Sequence, residues 1–291
     1  MKLGFIGLGV MGRPMALNLM KHGHEMGVYS RRNESAAPIV SAGARRYATP
    51  AELAAASDAV FTMVTTSNDV EEIALGENGI IHGARAGSML VDMETISPAT
   101  ARAVAERLTA KGVDMIDAPV SGGPAGAEQA TLSIMAGGKI EVFERVKPLF
   151  ECLGKTIVHM GDHGAGQTTK ACNQLALLVN AQGTAEALTL ARRCGLDPAK
   201  VRDVLLGGVA ASRVLELFGK RMVERDFTAG IEARLYYKDL DIALALGHAA
   251  QQGLPAAAVT MQHINAIMGR GEGGNDLSTI VQVIEGLGRA P

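Results

Sequence analysis

The chain has 291 residues, of which 47% are hydrophobic and 20% charged, and its formal net charge is −2 at pH 7. These values are typical of a globular protein with one or two domains. The near-neutral charge offers no general basic surface for nucleic acid, and we find no charge-free apolar run of the length that a membrane span needs. We therefore expect neither a nucleic-acid partner nor membrane insertion.

The first half of the chain alternates short apolar strands with helices. A strand over residues 3–6, a helix over 12–22 and a strand over 26–30 make a βαβ unit. Helices open at Thr49-Pro50 and Ser97-Pro98, where a capping side chain precedes a proline in the first turn. This alternation predicts a parallel, doubly wound sheet, and so an α/β class with an N-terminal Rossmann-type domain over residues 1–162. Its remaining strands are predicted at 59–64, 89–92, 115–118, 133–135 and 156–160, and one further helix at 139–150.

After Gly161 the pattern changes to helices, which predicts an all-α C-terminal domain over residues 163–291. Residues 165–193 are apolar almost all round, as in a helix that is buried against others. One small helical domain does not cover such a helix, so we expect a homo-oligomer, a dimer or tetramer, with the helical domains packed together. The cysteines at 152, 172 and 194 form no disulfide framework, and they indicate a reducing cytoplasm.

A glycine-rich loop follows the first strand directly and opens the first helix. Its residues are Gly7-Leu8-Gly9-Val10-Met11-Gly12, a GxGxxG pattern. The first glycine permits the tight turn, the second lets the backbone approach a pyrophosphate, and the third lets helix and strand pack closely. The helix start supplies unpaired N–H groups for the phosphates. Inside a βαβ unit this pattern predicts a dinucleotide site.

The end of the second strand indicates which dinucleotide is bound. An Asp or Glu at this place would bond the 2′-hydroxyl of NAD, but the sequence has Ser30, followed by Arg31 and Arg32. Two guanidinium groups beside a small hydroxyl suit a 2′-phosphate, so NADP is favoured over NAD. The alternative is that both arginines are solvated residues at a helix start.

Lys170 stands near the start of the apolar helix over 165–193, where desolvating an ammonium is costly without a partner. A buried lysine with a lowered pKa transfers protons near neutral pH, whereas a snorkelling lysine keeps its charged head in water. Asn173 and Gln174 follow three and four positions on, on the same helix face. A second candidate, Ser121-Gly122-Gly123, offers a hydroxyl and two unhindered N–H groups to a carboxylate; its alternative is a plain glycine turn.

Four motifs, in this order along the chain, resemble those of the β-hydroxyacid dehydrogenase family. They are GFIGLGVMG at 4–12, DAPVSGG at 117–123, GAGQTTKACNQ at 164–174 and KDL at 238–240. The resemblance spans essentially the whole chain. Within the family it is strongest to the tartronate semialdehyde reductase (2-hydroxy-3-oxopropionate reductase) branch.

The resemblance implies roles for individual residues. Lys170 would be the catalytic lysine that protonates the substrate oxygen as the nicotinamide delivers hydride, and Asn173 would orient the ammonium or the substrate hydroxyl. Ser121, Gly122 and Gly123 would hold the carboxylate of a small substrate. Thr95 would bond the cofactor near its nicotinamide end, and Thr65 would touch the cofactor too, although each threonine alone fits a helix cap.

Lys238 would reach back from the helical domain toward the cofactor and substrate cleft; its alternative is an ion pair with Asp239 or Asp241. Taken together, the implied function is an NAD(P)-dependent oxidoreductase that reduces tartronate semialdehyde to glycerate. 3-Hydroxyisobutyrate dehydrogenase, a succinic or glyoxylic semialdehyde reductase, and a non-catalytic dinucleotide-binding module remain alternatives. No metal site is expected, because Gly161 and Gly164 interrupt the segment that carries His159 and His163, and no third ligand is evident.

Overall fold

A computed structural model of the chain describes residues 1–288. Within this part, one sheet of nine strands organises the first half of the molecule. The strands are β1 (Lys2–Ile6), β2 (Glu25–Tyr29), β3 (Arg45–Arg46), β4 (Ala59–Thr62), β5 (Met89–Asp92), β6 (Asp114–Asp117), β7 (Val120–Ser121), β8 (Leu132–Gly137) and β9 (Gly154–Gly161).

The sheet has the order β3-β2-β1-β4-β5-β6-β8-β7, and β9 pairs with β8. From β3 to β6 all pairs are parallel, with Phe5 of β1 opposite Val28 on one side and Phe61 on the other. The strand order reverses direction at β1, which is the topological switch point of a doubly wound sheet. The Rossmann-type fold is confirmed, and the carboxyl ends of β1, β4, β5 and β6 lie at one edge.

The prediction of a parallel sheet is wrong at β8, which runs antiparallel to both β6 and β7. Parallel neighbours need a crossover of about a dozen residues, usually a helix packed on the sheet face. Between β6 and β8 the chain instead forms β7 and a helix of six residues, Gly123–Glu128. The chain therefore returns beside β6 in the opposite direction as β8. The helix over 140–151 then connects β8 to β9, which runs parallel to β8.

Eight helices connect these strands, and the two helix starts predicted from the sequence have the expected side-chain caps. Thr49 accepts a hydrogen bond from the Glu52 amide, and Ser97 accepts one from the Ala99 amide. Both predicted helix starts are confirmed. The helices are α1 (Gly12–Lys21), α2 (Asn33–Ser41), α3 (Pro50–Ala55), α4 (Ser67–Leu75), α5 (Ile80–Gly83), α6 (Pro98–Thr109), α7 (Gly123–Glu128) and α8 (Ile140–Glu151).

Alternation along the central strands divides the core into two clusters. Phe5 and Phe61 belong to one cluster and their rings stack with centroids 6.0 Å apart, while Ile6 and Val60 belong to the other. Successive side chains of a strand point to opposite faces, so each central strand contributes to both clusters. A sheet that is covered on both faces leaves its strand ends as the place for ligand-binding turns.

The rest of the described chain is helical. Its elements are α9 (Ala165–Arg193), α10 (Pro198–Leu206), a π-helical turn (Leu215–Gly219), α11 (Lys220–Glu224), α12 (Ala233–Ala249), α13 (Pro255–Gly269), a 3₁₀ turn (Leu277–Thr279) and α14 (Ile280–Glu285). The predicted bounds of α9 are those observed. Asp197 caps α10 through the Ala199 amide, as its Asp-Pro start predicted. Among residues 1–288, none of the helices combines the length and the apolar character that crossing a membrane requires.

The chain forms two compact units, the first comprising Met1–Lys170 and the second beginning at Ala171, inside α9. In the second unit, apolar clusters gather around α9, α12, α13 and α14. In the single chain, α9 leaves Cys172, Ala176, Gly183 and Leu190 exposed. Leu190 retains 65% of its accessible surface.

Candidate active site

The glycine loop between β1 and α1 has the geometry that the GxGxxG pattern predicts. Gly7 has φ +94°, and a Cβ on it would lie 2.2 Å from the Met63 carbonyl oxygen, so no other residue fits there. A Cβ on Gly12 would lie 1.9 Å from the Gly7 carbonyl oxygen, whereas a Cβ on Gly9 would meet nothing within 4 Å. Gly7 and Gly12 are therefore required by the protein itself. Gly9 borders open space that a pyrophosphate would occupy, so the loop fits a dinucleotide.

The other three residues of the loop contribute mainly backbone. Leu8 is buried in the core, Met11 is half-buried against it, and the Val10 side chain is exposed. No side chain caps the start of α1, and no acidic residue stands in its first turn. The Arg13 amide bonds back to the Gly9 carbonyl oxygen at 3.1 Å and Pro14 has no N–H, so an anionic ligand would meet the loop amides up to Gly12 and the positive end of the helix dipole.

The adenosine end of the predicted site carries more positive charge than the sequence indicated. Ser30 follows β2, and the Arg32 amide donates to its hydroxyl at 3.3 Å. Arg31 pairs with Asp69 at 3.5 Å, and Arg32 immediately precedes α2, as the alternative for these arginines supposed. Arg46 of β3 donates to the Ser30 carbonyl oxygen at 3.5 Å. A two-residue strand gives no period-2 signal, so sequence reasoning missed Arg46.

The two predicted cofactor threonines lie in turns at the carboxyl edge, and neither caps a helix. The cap of α4 is Thr66, in a reciprocal capping box with Asp69, which leaves Thr65 exposed in the turn after β4. The cap of α6 is Ser97, while the Thr95 amide donates to its neighbour Glu94 at 2.9 Å. The helix-cap alternative is therefore wrong for both, and both stand where ligands of such sheets bind.

The predicted carboxylate cradle, Ser121-Gly122-Gly123, joins a strand to a helix and is not the plain glycine turn that was its alternative. Ser121 ends β7, which pairs with β8, and Gly123 opens α7. Gly122, at φ 135°, and Gly123, at φ 63°, adopt conformations that side chains rarely take. Ser121 is half-buried, so its hydroxyl and the following N–H groups are held in a fixed loop at a strand end.

Lys170 lies in the second turn of α9 and is only 7% exposed. Among the described residues it is the one lysine or arginine that is buried. A snorkelling lysine keeps its ammonium in water, so this alternative is wrong. An ionisable amine that is held away from bulk water is instead typical of proton-transfer sites.

Three buried carboxyl groups stand in the same compact unit, and no role for any of them was predicted. Asp92 ends β5, Asp117 ends β6, and Glu94 lies in the turn between β5 and α6. Burial raises the pKa of Asp92 well above its usual range, and the nearby carboxyl groups of Glu94 and Asp117 add to the rise. A 2.8 Å hydrogen bond from the Thr62 hydroxyl lowers the pKa and offsets part of this rise.

Asp117 closes the first turn of α9. Its carboxylate accepts from the Gly164 amide at 2.8 Å and the Gln167 amide at 3.0 Å. Burial raises the pKa of Asp117 to about 6, although these backbone bonds favour the ionised form. The fully buried Gln167 side chain bonds back to the turn after β5. Asp117 lay inside a recognised motif, but no sequence signal linked it to a helix start about fifty residues away.

In the second compact unit, four polar side chains form one chain of contacts. The Asn173 amide donates to Gln174 at 2.8 Å, and Gln174 donates to Asp239 at 2.5 Å. Lys238 Nζ lies 3.2 Å from the other Asp239 oxygen. The ion pair given as the alternative for Lys238 is therefore present, and it ties Lys238 to the network that holds Asn173.

Residues 1–288 contain no group of three or more His, Cys, Asp or Glu side chains that could hold a metal ion. His159 instead bonds the Gly138 carbonyl oxygen at 2.7 Å and packs its ring against Phe143.

Comparison with known proteins places the chain in a family. Residues 2–161 match the model described as the NAD-binding domain of 6-phosphogluconate dehydrogenase, and residues 164–284 match that described as NAD-binding of NADP-dependent 3-hydroxyisobutyrate dehydrogenase. The chain is 44% identical over 285 residues to a 2-hydroxy-3-oxopropionate reductase from Escherichia coli (strain K12), with coverage of 98% of this chain and 97% of that protein.

Two further relatives agree. A 3-hydroxyisobutyrate dehydrogenase from Pseudomonas aeruginosa is 38% identical over 264 residues, covering 88% of this chain and 89% of that one. The crystal structure of a 3-hydroxyisobutyrate dehydrogenase from Salmonella typhimurium superposes with a TM-score of 0.88 at 29% identity, covering 97% and 99%. The prediction of an enzyme is confirmed, against the alternative of a non-catalytic module. The chain belongs to the β-hydroxyacid dehydrogenase family of NAD(P)-dependent oxidoreductases.

Proposed function

We propose that this enzyme reduces a small carboxylate semialdehyde to its β-hydroxyacid, with tartronate semialdehyde (2-hydroxy-3-oxopropionate) as substrate and glycerate as product. The observation that carries the proposal is the burial of Lys170 one turn into a helix whose start is fixed at the carboxyl ends of β5 and β6. The 44% identity to a 2-hydroxy-3-oxopropionate reductase supports the choice of substrate.

Each predicted residue has a task in this reaction. The nicotinamide cofactor, held by the Gly7–Gly12 loop, would supply a hydride for the carbonyl carbon. Lys170 donates a proton to the carbonyl oxygen as negative charge develops on it, and accepts that proton in the reverse direction. Ser121, Gly122 and Gly123 bind the substrate carboxylate through the Ser121 hydroxyl and backbone N–H groups. Asn173 orients the reacting oxygen.

Lys238 would add positive charge near the substrate. Its ion pair with Asp239 and the Asp239–Gln174–Asn173 hydrogen bonds hold both predicted residues of the second unit in one network. Exclusion of water would strengthen each of these electrostatic interactions.

NADP is the proposed cofactor. No carboxylate stands at the end of β2, where one would bond a 2′-hydroxyl. Arg31 and Arg32 instead follow Ser30 in the chain, and the Arg46 guanidinium donates to the Ser30 carbonyl oxygen at 3.5 Å. Guanidinium groups suit a phosphate.

A homo-oligomer, dimer or tetramer, is proposed from the exposed face of α9, where Ala176, Gly183 and Leu190 remain accessible in one chain. Light scattering at micromolar concentration should give a multiple of the 30.3 kDa chain mass. A monomer would contradict this part of the proposal. A cytoplasmic location is proposed because Cys152, Cys172 and Cys194 are all free thiols.

One assay tests substrate and cofactor together. Absorbance of reduced nicotinamide is followed with NADPH and NADH against tartronate, methylmalonate and succinic semialdehydes and glyoxylate. Tartronate semialdehyde with NADPH should give the highest kcat/KM. A higher kcat/KM for 3-hydroxyisobutyrate oxidation with NAD would favour the 3-hydroxyisobutyrate dehydrogenase alternative, which the Pseudomonas relative supports.

Lys170→Ala tests the mechanism. It should lower kcat by about 10²-fold or more, while the dissociation constant of NADPH changes little. Lys155→Ala, which removes an exposed lysine from β9, is the matched control and should keep wild-type turnover. Full turnover of the Lys170 variant would overturn the assignment of the proton donor.

A further inference from the structure

The start of α9 is joined to the sheet by two side chains for which no role was predicted. Gly164 precedes the helix and has no side chain of its own to cap it. Asp117 supplies the cap from the end of β6, with one oxygen on the Gly164 amide and the other on the Gln167 amide. A local capping box satisfies the same two N–H positions with two residues. Here one carboxylate from a strand does both.

Gln167 makes the reciprocal connection, from the helix to the sheet. Its Oε1 accepts from the Ile96 amide at 3.0 Å, and its Nε2 donates to the Glu94 carbonyl oxygen at 2.7 Å and to Asp92 at 3.4 Å. The two backbone groups that it bonds flank Thr95, the predicted contact to the nicotinamide end of the cofactor. One fully buried side chain thus fixes both the helix and that turn.

The backbone of the helix start approaches the sheet closely. A Cβ on Gly166 would lie 2.3 Å from the Met135 carbonyl oxygen and 2.5 Å from that of Asp117. Because these obstacles are backbone atoms, a side chain at 166 requires the helix start or the strand ends to move. The first turn of α9 is therefore located by side-chain hydrogen bonds and by steric contact.

Lys170 follows Gln167 by three positions, so both project from the same side of the helix. We propose that Asp117 and Gln167 are positioning residues, which fix the first turn of α9 against the ends of β5 and β6 and so set the place of the Lys170 amine relative to the turn that carries Thr95. Neither acts on the substrate. This inference rests on the proposed function for what Lys170 does.

Proton transfer needs the donor within hydrogen-bond reach of the reacting oxygen, and a displacement of about 1 Å costs about 10²-fold in rate. Release of either connection should therefore lower kcat. KM for the semialdehyde should change little, because the Ser121 cradle, four residues beyond Asp117, is held by its own pairing of β7 with β8.

Three variants test the inference on the full-length enzyme. Asp117→Asn keeps the shape but leaves one acceptor for two amides. Gln167→Met keeps the length without hydrogen bonds. Gly166→Ala keeps both side chains but displaces the helix start, because its Cβ would meet two backbone oxygens and, at 2.9 Å, Asp117 Oδ2. Ser88→Ala is the matched control, because it removes a buried hydroxyl bond, 2.6 Å to the Arg85 carbonyl oxygen, at the opposite end of β5.

Amide hydrogen exchange measures the connections directly and needs no substrate. Asp117→Asn should raise exchange at amides 164 and 167 at least tenfold, and Gln167→Met should do so at amide 96, with the control unchanged. Turnover is normalised to the number of NADPH-binding sites, so that unfolded molecules do not count. We expect kcat per site to fall about 10- to 100-fold in each variant, with KM for the semialdehyde within about threefold.

Two results would overturn the inference. One is unchanged amide exchange in Asp117→Asn and Gln167→Met, since these hydrogen bonds would then not hold the first turn of α9 against the sheet. The other is raised exchange with kcat per site within about twofold of wild type. If one variant fails to fold, the other two still decide. A wild-type enzyme that reduces no semialdehyde would overturn the proposed function instead, and the exchange data would still decide whether the helix start is anchored.

Discussion

Replacing Asp117 by Asn should change how the stability of this protein depends on pH. Burial raises the pKa of Asp117 from 3.8 to about 6. Between these values the folded protein keeps a proton that the unfolded chain has released, so the free energy of unfolding falls as the pH rises through this window. The full effect corresponds to about 3 kcal/mol, of which about 2 kcal/mol falls between pH 4 and 7. An asparagine does not titrate and loses this dependence.

Urea unfolding of both proteins, followed by circular dichroism from pH 4 to 7.5, gives the test. The unfolding free energy of the wild type minus that of Asp117→Asn should decrease by about 2 kcal/mol over the range. Asp58→Asn, at a part-exposed carboxylate paired with Arg85, is the control and should change the difference by less than about 1 kcal/mol. A difference for Asp117→Asn that stays constant, or increases with pH, would refute the reasoning.

Three further predictions concern the ligands. Gly9→Ala should keep the wild-type Tm, because its methyl enters open space, but should weaken NADPH binding at least tenfold in a fluorescence titration, because the pyrophosphate needs that space. Gly12→Ala, with a Cβ 1.9 Å from a backbone oxygen, should lower Tm as well. Ser121→Ala should raise KM for the semialdehyde about tenfold and leave NADPH affinity unchanged; an equal loss with an aldehyde that lacks a carboxylate would contradict the cradle. Arg46→Ala should raise KM for NADPH about tenfold and not that for NADH, while Arg45→Ala, whose guanidinium lies over the Tyr47 ring, should alter neither.

Most of the fold follows from local patterns that the sequence displays. The βαβ unit, the two capped helix starts and both ends of α9 were predicted within a residue or two. The reversed β8 was not, because the direction of a strand depends on where the intervening chain packs, and the short α7 has too few residues for a periodic signal. The two-residue strand β3 is also too short for a periodic signal, so neither β3 nor the place of Arg46 was predicted.

The candidate site divides in a similar way. The glycine loop was predictable in detail because its demands are local: a turn with positive φ at Gly7 and close contact at Gly12. The anchoring of α9 was not, because Asp117 meets Gly164 and Gln167 only through the tertiary fold. A buried aspartate at a strand end gives no sign in the sequence of which amides it will bond.

The choice of aspartate at position 117 has a chemical reason. An asparagine would avoid the cost of burying a charge, but its amide has one acceptor oxygen and would direct N–H groups at the second backbone amide. An ionised carboxylate presents one oxygen to the Gly164 amide and the other to the Gln167 amide, and its charge also faces the positive end of a 29-residue helix. The raised pKa of Asp117 is the consequence of burying this carboxyl group at the helix start, and the amide hydrogen bonds, which favour the ionised form, offset only part of it. Burial of the Asp117 carboxylate thus lowers the stability of the protein at neutral pH, at the position where this side chain holds the helix of Lys170 in place.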